Sequence, residues 1–399
     1  MKKNKNKIIL KSENDCTGCG ACIAACPCGA IIQKNVGFGS WIPKIKQDLC
    51  TECGLCQKVC QTNVINEKYK KKAYIAYNRN RDMRLISASG GAFSSLATYV
   101  LENNGCVFGA ELWFDKKQAI IEHVMIDRIE NLFRILGSKY VQSDCSSAYK
   151  LVKKKLQEGK MVLFSGCSCQ IAGLRQYLNE VNQEYLYTID LVCHGVPGKK
   201  HFNDYITYIE NKYSCKISGL SFRTKEKGKI IYEISAHTDR CNSLDCNKEE
   251  IKISIRESAY FRMFITEENY RKACYSCLYA SLNKPADITV GDYFEAKDDY
   301  PELFLGENAI DSEDGISCVI THSKKGNELL DVALDKIFLK EIDPIKVQSS
   351  HGNLNRPSKY TRARFIFKNI NMLFGYKSLE NLLYIRNRFA NIIRKILMI

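Results

Sequence analysis

The chain has 399 residues, 20 of them cysteine, with 59 Lys and Arg against 44 Asp and Glu and a formal charge of +15. That length allows two or three domains with ample core. No run of 18 or more apolar residues occurs, which excludes a membrane-spanning helix, and the basic start is not followed by an apolar stretch long enough for a secretory signal. So many cysteines without a secretory signal point to a reducing, cytoplasmic setting and to metal or redox use of the thiols. The positive charge is not read as a nucleic-acid footprint. No nucleic-acid motif accompanies it. Each iron–sulfur cluster on four thiolates would also bring roughly −2, so two or three clusters offset about 4 to 6 charges. The remaining surplus suits acidic redox partners and phosphates.

The first domain, residues 1–65, opens with a basic arm and continues as a ferredoxin-type module. It contains Cys16-x-x-Cys19-x-x-Cys22-x-x-x-Cys26-Pro27 and then Cys50-x-x-Cys53-x-x-Cys56-x-x-x-Cys60. This is the run of two-cluster ferredoxins, in which the fourth cysteine of each half ligates the other cluster. Cys16, Cys19, Cys22 and Cys60 are therefore assigned to one [4Fe–4S] cluster, and Cys50, Cys53, Cys56 and Cys26 to a second. Zinc sites more often show two separated cysteine pairs, and disulfides need an oxidising compartment. Gln61 stands where a proline commonly follows the last cysteine, and Cys28 is an extra thiol expected to be a small apolar filler. Val36 to Pro43 reads as a hairpin insertion, and Glu67 to Lys72 as a polar linker.

A new pattern begins at Ala73. A strand at Ala73–Tyr77 leads to Ser87-Ala88-Ser89-Gly90-Gly91, then to a helix with apolar residues at 93, 96, 97, 100 and 101 that stops at Asn103-Asn104-Gly105. A Ser/Gly-rich loop opening a helix can cradle phosphate, or can be an ordinary cap. No G-x-G-x-x-G occurs, so no Rossmann fingerprint is claimed. Strand Cys106–Ala110, helix 146–157, strand Met161–Phe164, loop Ser165–Gln170, helix from Ile171, strand Tyr185–Val192, loop Cys193–Gly198 and helix 199–212 alternate as parallel strands with helical crossovers do. Ile217–Phe222 and Ile230–Ala236 read as an antiparallel hairpin. Cys241 and Cys246 lack metal spacing and are left as free thiols. Strands at 287–293 and 314–321 and a helix at 326–336 follow. The fold class is α/β (mixed α+β): the ferredoxin-like module, an α/β domain with a mainly parallel sheet (parts 73–160 and 161–340), and a basic helical tail over 341–399. From Tyr360 onward eight Lys/Arg face one acid, Glu380, and the tail either contacts a membrane surface or partner, or packs on its own protein.

Cys169 and Cys193 each fall just past a short apolar strand and just before a helix. If the strands are parallel, both loops emerge at the same carboxyl edge, where ligand sites of α/β sheets collect. Cys274-x-x-Cys277 adds a pair. These four thiols make a third [4Fe–4S] site, with Cys167 competing for the Cys169 role. The bland alternative is buried small residues plus a two-ligand zinc or redox pair.

Taken together the motifs resemble the coenzyme F420 hydrogenase/dehydrogenase beta-subunit family. The matching pieces are Ser89–Phe93, Ser138–Ser143, Phe164–Gly166 with Cys169-Gln170, Asp190–Gly195, Phe222-Arg223, Cys274–Cys277 and Asp287–Asp292. Cys167-Ser168 departs from the small residue and proline usual before the family's cysteine. The resemblance implies FAD beside the additional cluster, whose four positions it shares, and hydride exchange with coenzyme F420 or another small two-electron substrate. Ser89, Gly90, Gly91, Lys139, Gln142 and Gly166 are the expected flavin contacts. Lys139 could offset charge on a reduced flavin or its phosphates. His194 could shuttle a proton or simply orient its loop. Electrons are expected to enter from ferredoxin or another redox protein at the N-terminal module. The rival class is a non-catalytic electron-transfer subunit of a larger complex, and a remote third is a zinc scaffold.

Overall fold

The computed structural model describes residues 10–61, 69–115, 118–226, 229–239, 250–307 and 309–396. Cys241 and Cys246 lie outside the described residues. In chain order the strands are β1 (Ile31–Val36), β2 (Ser40–Ile45), β3 (Lys72–Asn78), β4 (Cys106–Phe114), β5 (Ala119–Ile126), β6 (Val162–Gly166), β7 (Leu186–Leu191), β8 (Lys216–Ser221), β9 (Thr224–Glu226), β10 (Lys229–Ile231), β11 (Glu233–Asp239), β12 (Glu250–Ser254), β13 (Ile288–Asp292), β14 (Ser317–Thr321) and β15 (Ile337–Ile342).

One eight-stranded sheet runs β15-β3-β14-β13-β7-β6-β4-β5. Its centre, β13-β7-β6-β4, is parallel throughout. The flanking pairs are antiparallel, so β3 again points with the centre, and five of the eight strands share one direction. This is the mainly parallel sheet read from the alternating pattern, with antiparallel margins. The short apolar runs explain the centre: Val162, Leu163 and Phe164 are fully buried, as parallel strands covered on both faces must be. The helices Ser146–Gln157 and Ser168–Tyr177 precede and follow β6. The first buries Ala148, Tyr149, Val152 and Leu156, one stripe at helical spacing.

Strands on either side of residue 160 alternate within this one sheet, with β3 lying between β15 and β14. A second, three-stranded antiparallel sheet, β12-β11-β8, contains the expected hairpin, extended at its tip by β9 and β10. The tail forms helices Arg362–Phe374 and Tyr376–Ile396. One face of it joins the core: Tyr376, Leu379 and Leu383 pack among Tyr205, Tyr260 and Phe264. The Glu380 carboxylate accepts from the Ala259 amide at 3.0 and 3.1 Å and from the Tyr376 hydroxyl at 2.6 Å. Helix Arg362–Phe374 leaves Phe365, Ile366, Met372, Leu373 and Phe374 exposed.

The ferredoxin-type module is clamped to the body at two places. Arg271, only 1% exposed, donates to the Cys16 carbonyl (3.0 Å), the Trp41 carbonyl (2.7 Å) and Gln142 Oε1 (2.7 and 3.0 Å), with its guanidinium over the Trp41 ring. Beside it the β1–β2 turn meets the start of helix Lys199–Tyr213 backbone to backbone. A Cβ on Gly198 would stand 2.1 Å from Gly39 C and Ser40 N, so only glycine fits.

Candidate redox site

The two cysteine runs fold alike. Gly20 (φ +84°) and Gly54 (φ +75°) take left-handed conformations and open the short helices Ala21–Ala25 and Leu55–Lys58. A left-handed residue there turns the chain around its cysteines at no side-chain cost. Cys16, Cys19, Cys22 and Cys60, together with Cys56, line one cavity of about 40 Å³. Burial pushes the Cys19 thiol up to about 11, and the Cys16 and Cys60 sulfurs add to that. Cys22 is raised further by burial and by Cys19, Cys16, Cys60 and Cys56. Crowded, buried thiols of this kind stay protonated without a cation and become thiolates on one, which fits an iron–sulfur cluster. In the second group, burial raises Cys56, with Cys26 and Cys53 as like-charged neighbours, and Cys53 is exposed. Cys26 Sγ accepts from the Ala30 amide at 3.2 Å. Cys28 is exposed, 3.7 Å from Cys26 Sγ, and so is not the apolar filler expected of it. Among the described residues no group of three or more His, Cys, Asp or Glu closes on a single metal ion.

A second cavity of about 40 Å³ lies past the carboxyl ends of β6 and β7. Cys167, Cys169, Cys193, Cys274 and Cys277 all line it. The parallel pairing of β6 with β7 brings the first two loops to one edge. The 3-10 turn Lys272–Ser276 carries Cys274 and leads directly to Cys277. Burial and the sulfurs of Cys277, Cys193 and Cys274 hold the Cys169 thiol well above its usual range, and Cys274 is pushed up to about 12. Cys167 is in the group as well, its Sγ 3.8 Å from that of Cys193. Lys284, buried, also lines this cavity and donates to the Tyr279 carbonyl at 2.7 Å. Thr17 lines both cysteine cavities. Tyr279 lines the second and reaches Gln61, beside Cys60, with its hydroxyl at 2.5 Å.

The third space is a cavity of about 610 Å³ along the ends of β6, β7 and β13. It shares Cys167, Cys169, Cys193 and His194 with the second cysteine cavity. Ser89, Gly91, Lys139, Gln142, Gly166 and His194 line it. Gly90 does not: its amide donates to Ser317 Oγ at 3.0 Å, and a Cβ there would meet the Ala76 carbonyl at 2.7 Å. Gln142 has its amide engaged elsewhere, giving to the Thr17 and Gly18 carbonyls and accepting from Arg271. Its side chain thus belongs to the module clamp as well as to the cavity wall. Lys139 Nζ donates to the Leu136 carbonyl at 2.6 Å, and burial pulls it down to about 7. Burial also lowers His194, opposed by Glu267.

Residues 159–346 match the family described as coenzyme F420 hydrogenase/dehydrogenase, C terminus of the beta subunit, and residues 15–64 match the 4Fe-4S dicluster domain. Residues 159–346 thus carry the C-terminal part of the coenzyme F420 hydrogenase/dehydrogenase beta-subunit family. The chain is an iron–sulfur electron-transfer protein, and its dicluster domain precedes the family's part. A chain from a xenon-derivatised F420-reducing [NiFe] hydrogenase complex of Methanosarcina barkeri is similar at 18% identity, over 74% of this chain and 92% of that chain, with a TM-score of 0.45. No curated protein gives a significant match. Among the described residues no helix is long and apolar enough to cross a membrane.

Two further groups of cavity residues are given no role by sequence spacing, although Arg223 and Asp292 fall in stretches that resemble the family. Arg223 grips Asp292 through two bonds of 2.9 and 2.8 Å on the cavity wall. His123 donates through Nε2 to the Ser165 carbonyl at 2.7 Å and accepts from Cys145 at 3.2 Å, and burial lowers it to about 4. Both are buried polar groups made tolerable by partners distant in sequence.

Proposed function

We propose that the chain is an iron–sulfur flavoprotein oxidoreductase with two ferredoxin-type [4Fe–4S] clusters, a third on Cys169, Cys193, Cys274 and Cys277, and FAD in the 610 Å³ cavity. The observation that carries this reading is the shared walls. Thr17 borders both cysteine cavities, and Cys167, Cys169, Cys193 and His194 border both the second cysteine cavity and the large one. When bound, the clusters would supply one-electron carriage and the flavin would supply two-electron exchange with a small substrate, coenzyme F420 or another. The protein's part is spacing and access. Arg271 and Gln142 fix the module against the body, Lys284 places positive charge beside the thiolates, and Lys139 stands ready to balance negative charge in the large cavity. The exposed position of Cys53 suits entry from ferredoxin or another redox protein in a cytoplasmic setting.

Anaerobic purification with iron, sulfide and flavin quantification tests the composition. Replacing Cys53 by Ala should abolish reduction of the flavin by a low-potential donor while leaving flavin bound. Undiminished electron flow would count against it. A second reading, a non-catalytic subunit of a larger complex, is favoured by the exposed apolar face of the tail helices, a surface for a redox partner or a membrane. Substrate-dependent flavin reoxidation in the isolated chain separates the two readings, and iron analysis disposes of a zinc scaffold.

A further inference from the structure

Off the large cavity opens an annex of about 400 Å³, reached past Ser89 and the Gly137–Lys139 turn. Four cations line it, Arg134, Lys139, Arg223 and Lys225, against one acid, Glu111. The two arginines are satisfied. Arg134 holds Glu111 through bonds of 2.7 and 2.8 Å, and Arg223 holds Asp292. The two lysines are not. Lys139 gives to the Leu136 carbonyl at 2.6 Å and, at 3.5 Å, to that of Arg134, and Lys225 gives to the carbonyls of Arg84 and Ser89, each at 2.5 Å. Among the described residues neither has a carboxylate in ion-pair range. The acids nearest Lys225, Asp314 and Asp292, are themselves held by Arg81 and Arg223.

An ammonium carries three donors, and a half-buried one paired only with carbonyls keeps its charge uncompensated. Burial accordingly pulls Lys225 down to about 8 and Lys139 down to about 7. The hydroxyls of Ser87, Ser89 and Thr224 on the same wall donate elsewhere, to the Met83 and Ile316 carbonyls and to Glu233, so the two lysines carry the site, while exposed Ile86 and Phe133 form an apolar rim.

We propose that this annex is a phosphate-binding subsite. It would take the anionic end of a phosphate-bearing ligand against Lys139 and Lys225, with the ligand's apolar body at the Ile86–Phe133 rim. The proposal rests on the reading of the large cavity as a flavin site only for the source of the phosphate, which is either the two-electron substrate or the flavin's own pyrophosphate. A compact polyanion restores the full charge of both lysines and takes up their free donors.

The probe is inorganic pyrophosphate, titrated by calorimetry into the full chain with and without flavin, at low and high salt. Binding to the flavin-loaded protein, weakened tenfold or more in Lys225→Met with flavin content unchanged, assigns the subsite to the substrate. Binding only after flavin removal, with flavin lost from Lys225→Met, assigns it to the flavin. Lys225→Arg should restore binding in either case, and Lys139→Gln gives a second reading if Lys225→Met does not fold. Pyrophosphate that binds neither form, or binds the lysine variants as well as the parent, overturns the proposal. A chain that never holds flavin would sink the function proposed above, yet would still bind pyrophosphate here.

Discussion

Two cavities of the same size gather cysteines, and they are made in opposite ways. The first draws Cys16, Cys19 and Cys22 from one short stretch and Cys56 and Cys60 from the second run, and each run carries a left-handed glycine that opens its short helix. The second draws single cysteines from the ends of two parallel strands and a pair from a turn some 80 residues later in the chain. Local chemistry can specify the first kind of site almost alone. The second exists only when the sheet is correctly ordered, so its integrity reports on the fold of the whole body.

The strongest way to break that contrast is iron analysis of Cys277→Ala. Fully loaded protein should hold about 12 Fe, at four per cluster, and the variant about 8, with ferredoxin-type signals intact. Iron that stays at the two-cluster level in the parent would remove the second site from the comparison. Next in size is Arg271→Met, which strips a buried cation from the Cys16 and Trp41 carbonyls and from Gln142. A loss of about 3–5 kcal/mol in chemical unfolding is expected, because buried acceptors are left unpaired. A change within experimental error would mean that the module docks by other contacts.

Glu380→Ala sharpens the comparison at the body's far side, where the tail joins the core. It orphans the Ala259 amide and should cost about 1–3 kcal/mol. Truncation at Pro357 removes Tyr376, Leu379 and Leu383 as well and should destabilise the body more, so the tail is not dispensable packing. The smallest effect is a pH slope. Lys139 is held at about 7 in the folded chain, below its ordinary 10.5. Between those values the unfolded chain binds the extra proton, so stability rises with pH across the window and levels off below about 7, where both states are protonated. One such group contributes at most about 1.4 kcal/mol per pH unit. Lys139→Met should flatten the slope in ligand-free protein, and an unchanged slope would assign the titration elsewhere.

Much of this was legible in the sequence, for identifiable reasons. The cysteine runs declare themselves by spacing, and the ends of β6 and β7 by short apolar strands before helices, so Cys169 and Cys193 could be placed on one edge from the pattern alone. The margins of the sheet were harder. β5 alternates buried and half-buried residues, and β15 sits at the opposite edge; neither carries the turn signals that mark the centre. Gln142 and Gly90 show the limit of motif reasoning: both occur in matching stretches, yet Gln142 lines the large cavity with its amide spent on the module clamp, and Gly90 is a packing contact under β14. Arg271 could not be recognised at all. A basic residue beside a C-x-x-C pair looks solvated until the fold buries it against a loop 255 positions away.

The contact between Gly39 and Gly198, backbone against backbone, has a consequence for rate. Redox proteins whose carrier domain swings on a tether transfer electrons only as fast as the domain can diffuse. Here the carrier meets the body backbone to backbone at that contact, and the buried Arg271 holds it beside that point. Internal transfer should therefore be insensitive to solvent viscosity, while delivery from an external donor, which must still diffuse, should slow in proportion to added glycerol.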